Sequence, residues 1–138
     1  MSLPSVTIEQ KPAFCDFDPM GVVWHGNYFR YFEYAREALL DSIDYGYLRM
    51  EESGYLWPIV DTRVKYIAPV IFGRRILVTA AIAEYENRLR INYEICDAET
   101  GSRATRGHTL QIAVHKATRE TCFVCPPVLF EKLGLPRP

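Results

Sequence analysis

A chain of 138 residues, 49% hydrophobic and 24% charged, has the size and balance of one ordinary domain able to bury a core, and residues 1–138 are read as a single domain. Its formal net charge of -1 offers no electrostatic case for nucleic acid or for an anionic membrane surface, which leaves small neutral or locally anionic ligands. No stretch is apolar for long enough to span a bilayer, and the start M-S-L-P-S-V lacks the basic flank and apolar run of a signal peptide, so a cytoplasmic location is expected.

In chain order, Val6 to Phe14 opens with the alternating V-T-I-E, a strand that Pro12 limits and so places at an edge or a break. The polar loop D-F-D-P-M-G follows. A helix is expected from about His25 or Tyr28 to about Tyr45, because Tyr28, Phe32, Ala35, Leu39, Ser42 and Ile43 recur at helical spacing while Tyr31 and Ala38 widen the stripe. Asn27 suits the N-cap, Gly26 fits a tight first turn, and Gly46 suits the left-handed cap at the far end. Met50 to Leu56 reads as a connection with one helical turn. From Pro58 the period becomes two, with Val60, Thr62, Val64 and Tyr66 on one face and Asp61, Arg63 and Lys65 on a wet one.

Arg75 to Tyr85 is a long strand, reversed at Glu86 and Asn87 into the alternating Leu89, Ile91, Tyr93 and Ile95; strands joined so briefly must be antiparallel. Asp97 to Gly101 forms another hairpin loop. Ala104 to Lys116 is a further long strand, Thr121 to Val124 a short one, and Pro127 to Leu133 a terminal helical turn. The order is strand, long helix, then an antiparallel meander, an α+β fold in which the helix should lie across the concave face of the sheet. Cys15, Cys96, Cys122 and Cys125 are too few and too scattered for a disulfide framework, and C-F-V-C lacks a second pair or a nearby His, so reduced thiols and no metal site are expected.

The chemistry is concentrated from Asp16 to Arg36. Pro19 and Gly21 hold Asp18 in a loop that feeds directly into the helix. The first turn of a helix carries unpaired amides and about half a positive charge, so it attracts an oxygen that is gaining negative charge. A carboxylate beside such a site suits acyl transfer. An aspartate carboxylate is ionised at neutral pH without help, which favours Asp18 as a direct nucleophile, with activation of water as the close second. The His25 ring either caps the helix or hydrogen-bonds Asp18 or a water. Ser42 and Ser53 have no nucleophile motif or oriented His, and His108 and His115 stand isolated on a strand.

The run D-F-D-P-M-G-V-V-W-H-G-N-Y, together with this order of elements, resembles the hotdog-fold acyl-CoA thioesterases of the 4-hydroxybenzoyl-CoA thioesterase type and the related Tol-Pal-associated bacterial thioesterase. The resemblance runs from about Val6 to about Leu133. It implies an antiparallel sheet of about five strands wrapped around one long helix, with Asp18 as the essential carboxylate and the backbone N–H at His25 facing the thioester oxygen. It starts the helix nearer His25 than Asn27. It further implies an acyl pocket walled by Gly21, Val22, Val23, Trp24 and Tyr28, an acid at Glu33 where relatives place one against hydroxylated aromatic groups, and CoA phosphates met by Arg88 and Arg90. A homodimer or homotetramer would bring Pro58, Ile59 and Val60 of a neighbour towards Asp18. The expected substrate is an acyl-CoA, or less favoured an acyl carrier protein thioester, with no cofactor. Two rivals stand beside hydrolysis. One is a non-catalytic acyl-thioester binding or scaffold protein, which would not need Asp18; the other is a hotdog dehydratase, whose H-F-P pattern is absent.

Overall fold

The computed structural model describes residues 2–137. Its centre is the hairpin of β4 (Ile76–Glu84) and β5 (Leu89–Asp97), where Val78, Ala80 and Ile82 pair with Ile95, Tyr93 and Ile91. Directly paired residues point the same way, so two apolar rows share one face. β1 (Ser5–Gln10) pairs with β4, β6 (Arg103–Gln111) with β5, and β3 (Ile59–Tyr66) with β6. The result is a five-stranded antiparallel sheet in the order β1-β4-β5-β6-β3, with β1 and β3 at its edges.

The helix begins as a 3-10 turn at His25–Asn27 and continues as α1 (Tyr28–Ser42). Tyr28, Tyr31, Phe32, Ala35 and Leu39 recur at helical spacing and are buried, with Leu40 added to the stripe. Phe32 stacks on Tyr93 of β5, ring centroids 4.5 Å apart with planes 13° from parallel. This is the α+β layout expected, a long helix on the inner face of an antiparallel sheet. α2 (Tyr47–Glu52) and the small ladder of β2 (Tyr55–Leu56) with β7 (Val114–His115) extend one end. α3 (Pro127–Leu133) packs Phe130 edge-on to Tyr85 at 5.7 Å.

Gly107 of β6 sets how closely α1 can approach. A Cβ there would fall 2.9 Å from Phe32 Cε2 and would also strike the Arg63 carbonyl oxygen on β3. One obstacle is main chain, which cannot rotate away. Gly107→Ala is expected to cost about 1–3 kcal/mol as an overpacked core position does, read as a melting temperature lowered by several degrees with the two-state transition retained.

Four expectations are corrected. Gly46 is not left-handed: its φ is -71, and it stands before α2 as N-cap. A side chain there would strike the Asp41 carboxylate; the positive φ after α1 belongs to Asp44, at 56, a residue type that tolerates it. The strand read from Ala104 to Lys116 stops at Gln111, where the buried side chain turns its Nε2 to the Trp57 carbonyl at 2.8 Å. Thr121 makes an isolated bridge to Val114 rather than a strand. β3, read with one wet face, is exposed along nearly its whole length and carries a bulge between Ile59 and Asp61, because it is an edge of the sheet that α1 does not cover.

Candidate active site

Residues 17–23 form a miniature hairpin. Phe17 bridges Val23, the Asp18 amide donates to the Val22 carbonyl at 2.9 Å, and the Gly21 amide donates to the Asp18 carbonyl at 3.0 Å. Asp, Pro and Gly occupy the turn positions each favours, and Gly21 takes the positive φ of 77 that other residues resist. The Met20 amide donates to Asp18 Oδ1 at 2.9 Å, which fixes one carboxylate oxygen and leaves the other free. Main-chain bonds from Val23 to Val70 (2.9 Å) and from Phe72 to Gly21 (3.1 Å) fasten the hairpin to the segment before β4.

The adjoining helix start is held from two sides. Both the Trp24 amide and Asn27 Nδ2 donate to the Asp16 carbonyl, at 2.9 and 2.8 Å. The first helical bond runs from the Asn27 amide to the Trp24 carbonyl, so the amides of His25 and Gly26 precede it and have no carbonyl partner within the helix. Gly26 keeps this turn narrow: a Cβ would lie 2.8 Å from Trp24 Cε3, whose indole also rests against the His25 ring at 4.9 Å.

Asp18, Val22, Val23, His25 and Tyr28 line one cleft of about 330 Å³, closed on its other side by Tyr66, Ile67, Ala68 and Pro69. Tyr28 is buried, its hydroxyl accepting from the Val70 amide at 3.3 Å. Burial pushes its phenol above the ordinary value, and the neighbouring Tyr66 and Asp18 add in the same direction. Two contributors were not singled out by sequence. Tyr66, at the end of the alternating run, donates from its hydroxyl to the His25 carbonyl at 2.6 Å. Asp16 is buried, ion-paired to Arg30, and accepts from the Tyr31 hydroxyl at 2.7 Å and the Ala13 amide at 3.0 Å. An acid inside D-F-D gives no sign of which carboxylate faces in; its partners Arg30 and Tyr31 lie in the first turn of the helix that follows.

The other expected site residues lie elsewhere in this chain. Gly21 is at the hairpin turn, and Trp24 is half exposed outside the cleft lining. Glu33 is exposed, pairs with Arg36 and lines a separate cleft between α1 and α2. Pro58, Ile59 and Val60 are exposed at the far end of β3 from Tyr66. Arg88 pairs with Glu84 at 2.8 Å, and Arg90 stands on the outer sheet face. Among the described residues no cluster of three His, Cys, Asp or Glu side chains could hold a metal, and no helix is long and apolar enough to cross a membrane.

The profile of the Thioesterase-like superfamily matches residues 12–133. The chain belongs to that superfamily. YneP of Bacillus subtilis (strain 168), provisionally named an acyl-CoA thioesterase, is 32% identical over 103 residues, which cover 72% of this chain and 75% of YneP. The crystal structure of a DHNA-CoA thioesterase from Staphylococcus aureus is similar at a TM-score of 0.77 and 29% identity, covering 86% of this chain and 80% of that one. The 4-hydroxybenzoyl-CoA thioesterase of Pseudomonas sp. strain CBS-3 superposes with a TM-score of 0.79 over 94% of this chain and 99% of its own, at 19% identity, a likeness of hotdog fold alone. Acyl-CoA thioesterase activity is thus supported at the level of the superfamily.

Tyr66→Phe removes the hydroxyl that steadies the His25 peptide. Loss of one such bond, worth about 1 kcal/mol, should lower turnover of a thioester by up to roughly fivefold and the melting temperature by no more than about 4 °C, since Tyr66 is half exposed.

Proposed function

We propose that this thioesterase-superfamily member hydrolyses a small acyl-CoA or aroyl-CoA to the free acid and CoA, with Asp18 as the attacking or water-activating carboxylate. The observation that carries this reading is the shared cleft: Asp18, with one carboxylate oxygen unclaimed, lines the same space as His25, whose amide at the helix start has no carbonyl partner in the helix. A thioester carbonyl lodged there would present its carbon to Asp18 and its oxygen to the amides of His25 and Gly26. Attack moves the carbonyl electron pair onto that oxygen, where aimed donors are worth about 3–4 kcal/mol each. Collapse then expels the thiolate of CoA, which needs no strong acid to leave. Direct attack by Asp18 gives a mixed anhydride that water cleaves; the alternative has Asp18 take a proton from the attacking water.

A volume of about 330 Å³ with walls of Val22, Val23, Tyr28 and Ile67 suits a benzoyl group or a short aliphatic chain. The exposed edge of β3 supports pairing with a second copy. Antiparallel pairing there would bring the Pro58–Val60 end of one strand to the Tyr66 end of the other, completing the cleft from a neighbour, and would carry Arg88 of that neighbour in the same direction. A cytoplasmic homodimer acting on CoA esters follows from this reading, with the two carriers separable by assay. Thiol release should be followed over a panel of aroyl-CoA and aliphatic acyl-CoA esters and one acyl carrier protein thioester. Saturable release from at least one ester supports hydrolysis, whereas binding of esters without any release would establish the non-catalytic alternative.

A further inference from the structure

Attack on a thioester in the Asp18 cleft puts negative charge on the carbonyl oxygen, and three side chains of the lining carry a proton that could meet it: His25, Tyr28 and Tyr66. The Tyr66 hydroxyl is committed to the His25 carbonyl at 2.6 Å. The His25 ring is exposed and rests against the Trp24 indole, where water weakens whatever it donates. Tyr28 differs from both. It is 3% exposed, its ring lies edge-on to Tyr31 and to Tyr66 with centroids 6.2 and 5.1 Å away, and its oxygen accepts from the Val70 amide at 3.3 Å. A buried hydroxyl ordinarily gives a hydrogen bond as well as receiving one. Among the described residues nothing accepts the Tyr28 proton.

Helical side chains lean towards the N-terminus of their helix, so each covers the turn before its own. Tyr28 follows His25 by three positions and therefore lies over the turn that the His25 amide opens. The two neighbouring rings hold its plane, and the Val70 bond fixes its oxygen. Asp18 accepts from the Met20 amide and not from Tyr28, so the carboxylate leaves the phenol proton unspent. That proton is also retained: burial raises the phenol pKa first, Tyr66 and Asp18 add to the rise, and only the Val70 amide opposes it. The titratable groups facing the phenol are Asp18 on the hairpin, Tyr66 at the end of β3, and His25 and Tyr31 on its own helix.

We propose that Tyr28 is a further catalytic residue, its hydroxyl donating beside the His25 amide to the carbonyl oxygen as that oxygen becomes negative; this rests on the thioester hydrolysis proposed for the cleft. No proton changes hands. The hydrogen bond tightens while the carbonyl electron pair resides on the oxygen and relaxes when the C–S bond breaks and the thiolate leaves, whichever form of attack Asp18 takes. The test is thiol release over about pH 6–10, from the ester that the parent turns over fastest, by the parent, Tyr28→Phe and Tyr28→3,5-difluorotyrosine proteins. Ring fluorination lowers the phenol pKa at nearly the same size, and an ionised phenol still accepts from the Val70 amide but has no proton to give. In Tyr28→Phe kcat should fall roughly ten- to a hundredfold with KM held within about twofold, the mark of a bond made only in the transition state. The fluorinated protein should keep its turnover near neutrality and lose it as pH rises through the lowered phenol pKa, with the melting temperature level across that fall. His25, Tyr31 and Tyr66 are common to parent and fluorinated protein, so a difference between their pH profiles belongs to position 28. A profile unchanged by fluorination overturns the proposal and leaves the hydroxyl as a partner of the Val70 amide alone, whether or not Tyr28→Phe folds; full turnover by Tyr28→Phe overturns it equally. Absence of thiol release by the parent from every ester removes the hydrolase reading itself, a failure distinct from that of Tyr28.

Discussion

Asp18→Asn is expected to reduce thiol release by at least about 10²–10⁴-fold, the usual contribution of a positioned general base, and by more if the carboxylate attacks directly. The substitution is nearly isosteric, and an amide oxygen can still accept from the Met20 amide that now bonds Asp18 Oδ1 at 2.9 Å. The hairpin should therefore survive, and the melting temperature should match the parent. Substrate affinity should hold, since the cleft walls are untouched. Rapid quench followed by mass measurement separates the two routes in the parent: an acyl adduct on residue 18 marks the anhydride, and thiol release with no adduct at any time marks activated water. Equal turnover in parent and variant would remove Asp18 from the mechanism altogether.

The largest loss of stability is expected at Asp16, two residues away. Asp16→Ala leaves the Tyr31 hydroxyl, on a residue 2% exposed, without the acceptor it has at 2.7 Å, and the Ala13 amide without its bond at 3.0 Å. Arg30 also loses its partner, but its side chain is 43% exposed and can rehydrate, so that part weighs less. Together these amount to about 2–4 kcal/mol, a sizeable part of the stability of any small domain. The effect has a pH signature. Burial would raise the Asp16 pKa, but bonds from Arg30, Tyr31 and Ala13 outweigh it and hold the carboxyl below its ordinary value. A folded pKa below the unfolded one contributes stability that is full above about pH 4 and is lost as pH falls through the folded value. Urea unfolding of parent and variant should therefore differ most near neutrality, with the gap narrowing below about pH 4. A gap independent of pH would show that the carboxylate charge contributes nothing.

Much of this was legible from residue order. The alternation of Leu89, Ile91, Tyr93 and Ile95 and the stripe from Tyr28 to Leu39 were read correctly because each buries one face against a single neighbour, so the pattern is simple. The junction of Asp18 with His25 was legible because its turn chemistry is local. What escaped depends on where side chains settle once the chain packs, in most cases across distant segments. Nothing near Gly46 shows that the Asp41 carboxylate will lie over it. The end of β6 is set by Gln111 reaching Trp57, 54 positions away, and Tyr66 becomes part of the site only because β3 ends beside the helix start.

The fastening of residues 17–23 to the segment before β4 has a consequence for how attack on a carbonyl would be organised. With Val23 and Phe72 each tied through main-chain bonds across the join, the carboxylate is delivered by a frame rather than by a flap. Orientation is then settled once, when the chain folds, and little reorganisation is left to each catalytic cycle; the parts free to yield to an incoming ester are side chains such as that of Met20, 80% exposed at the rim.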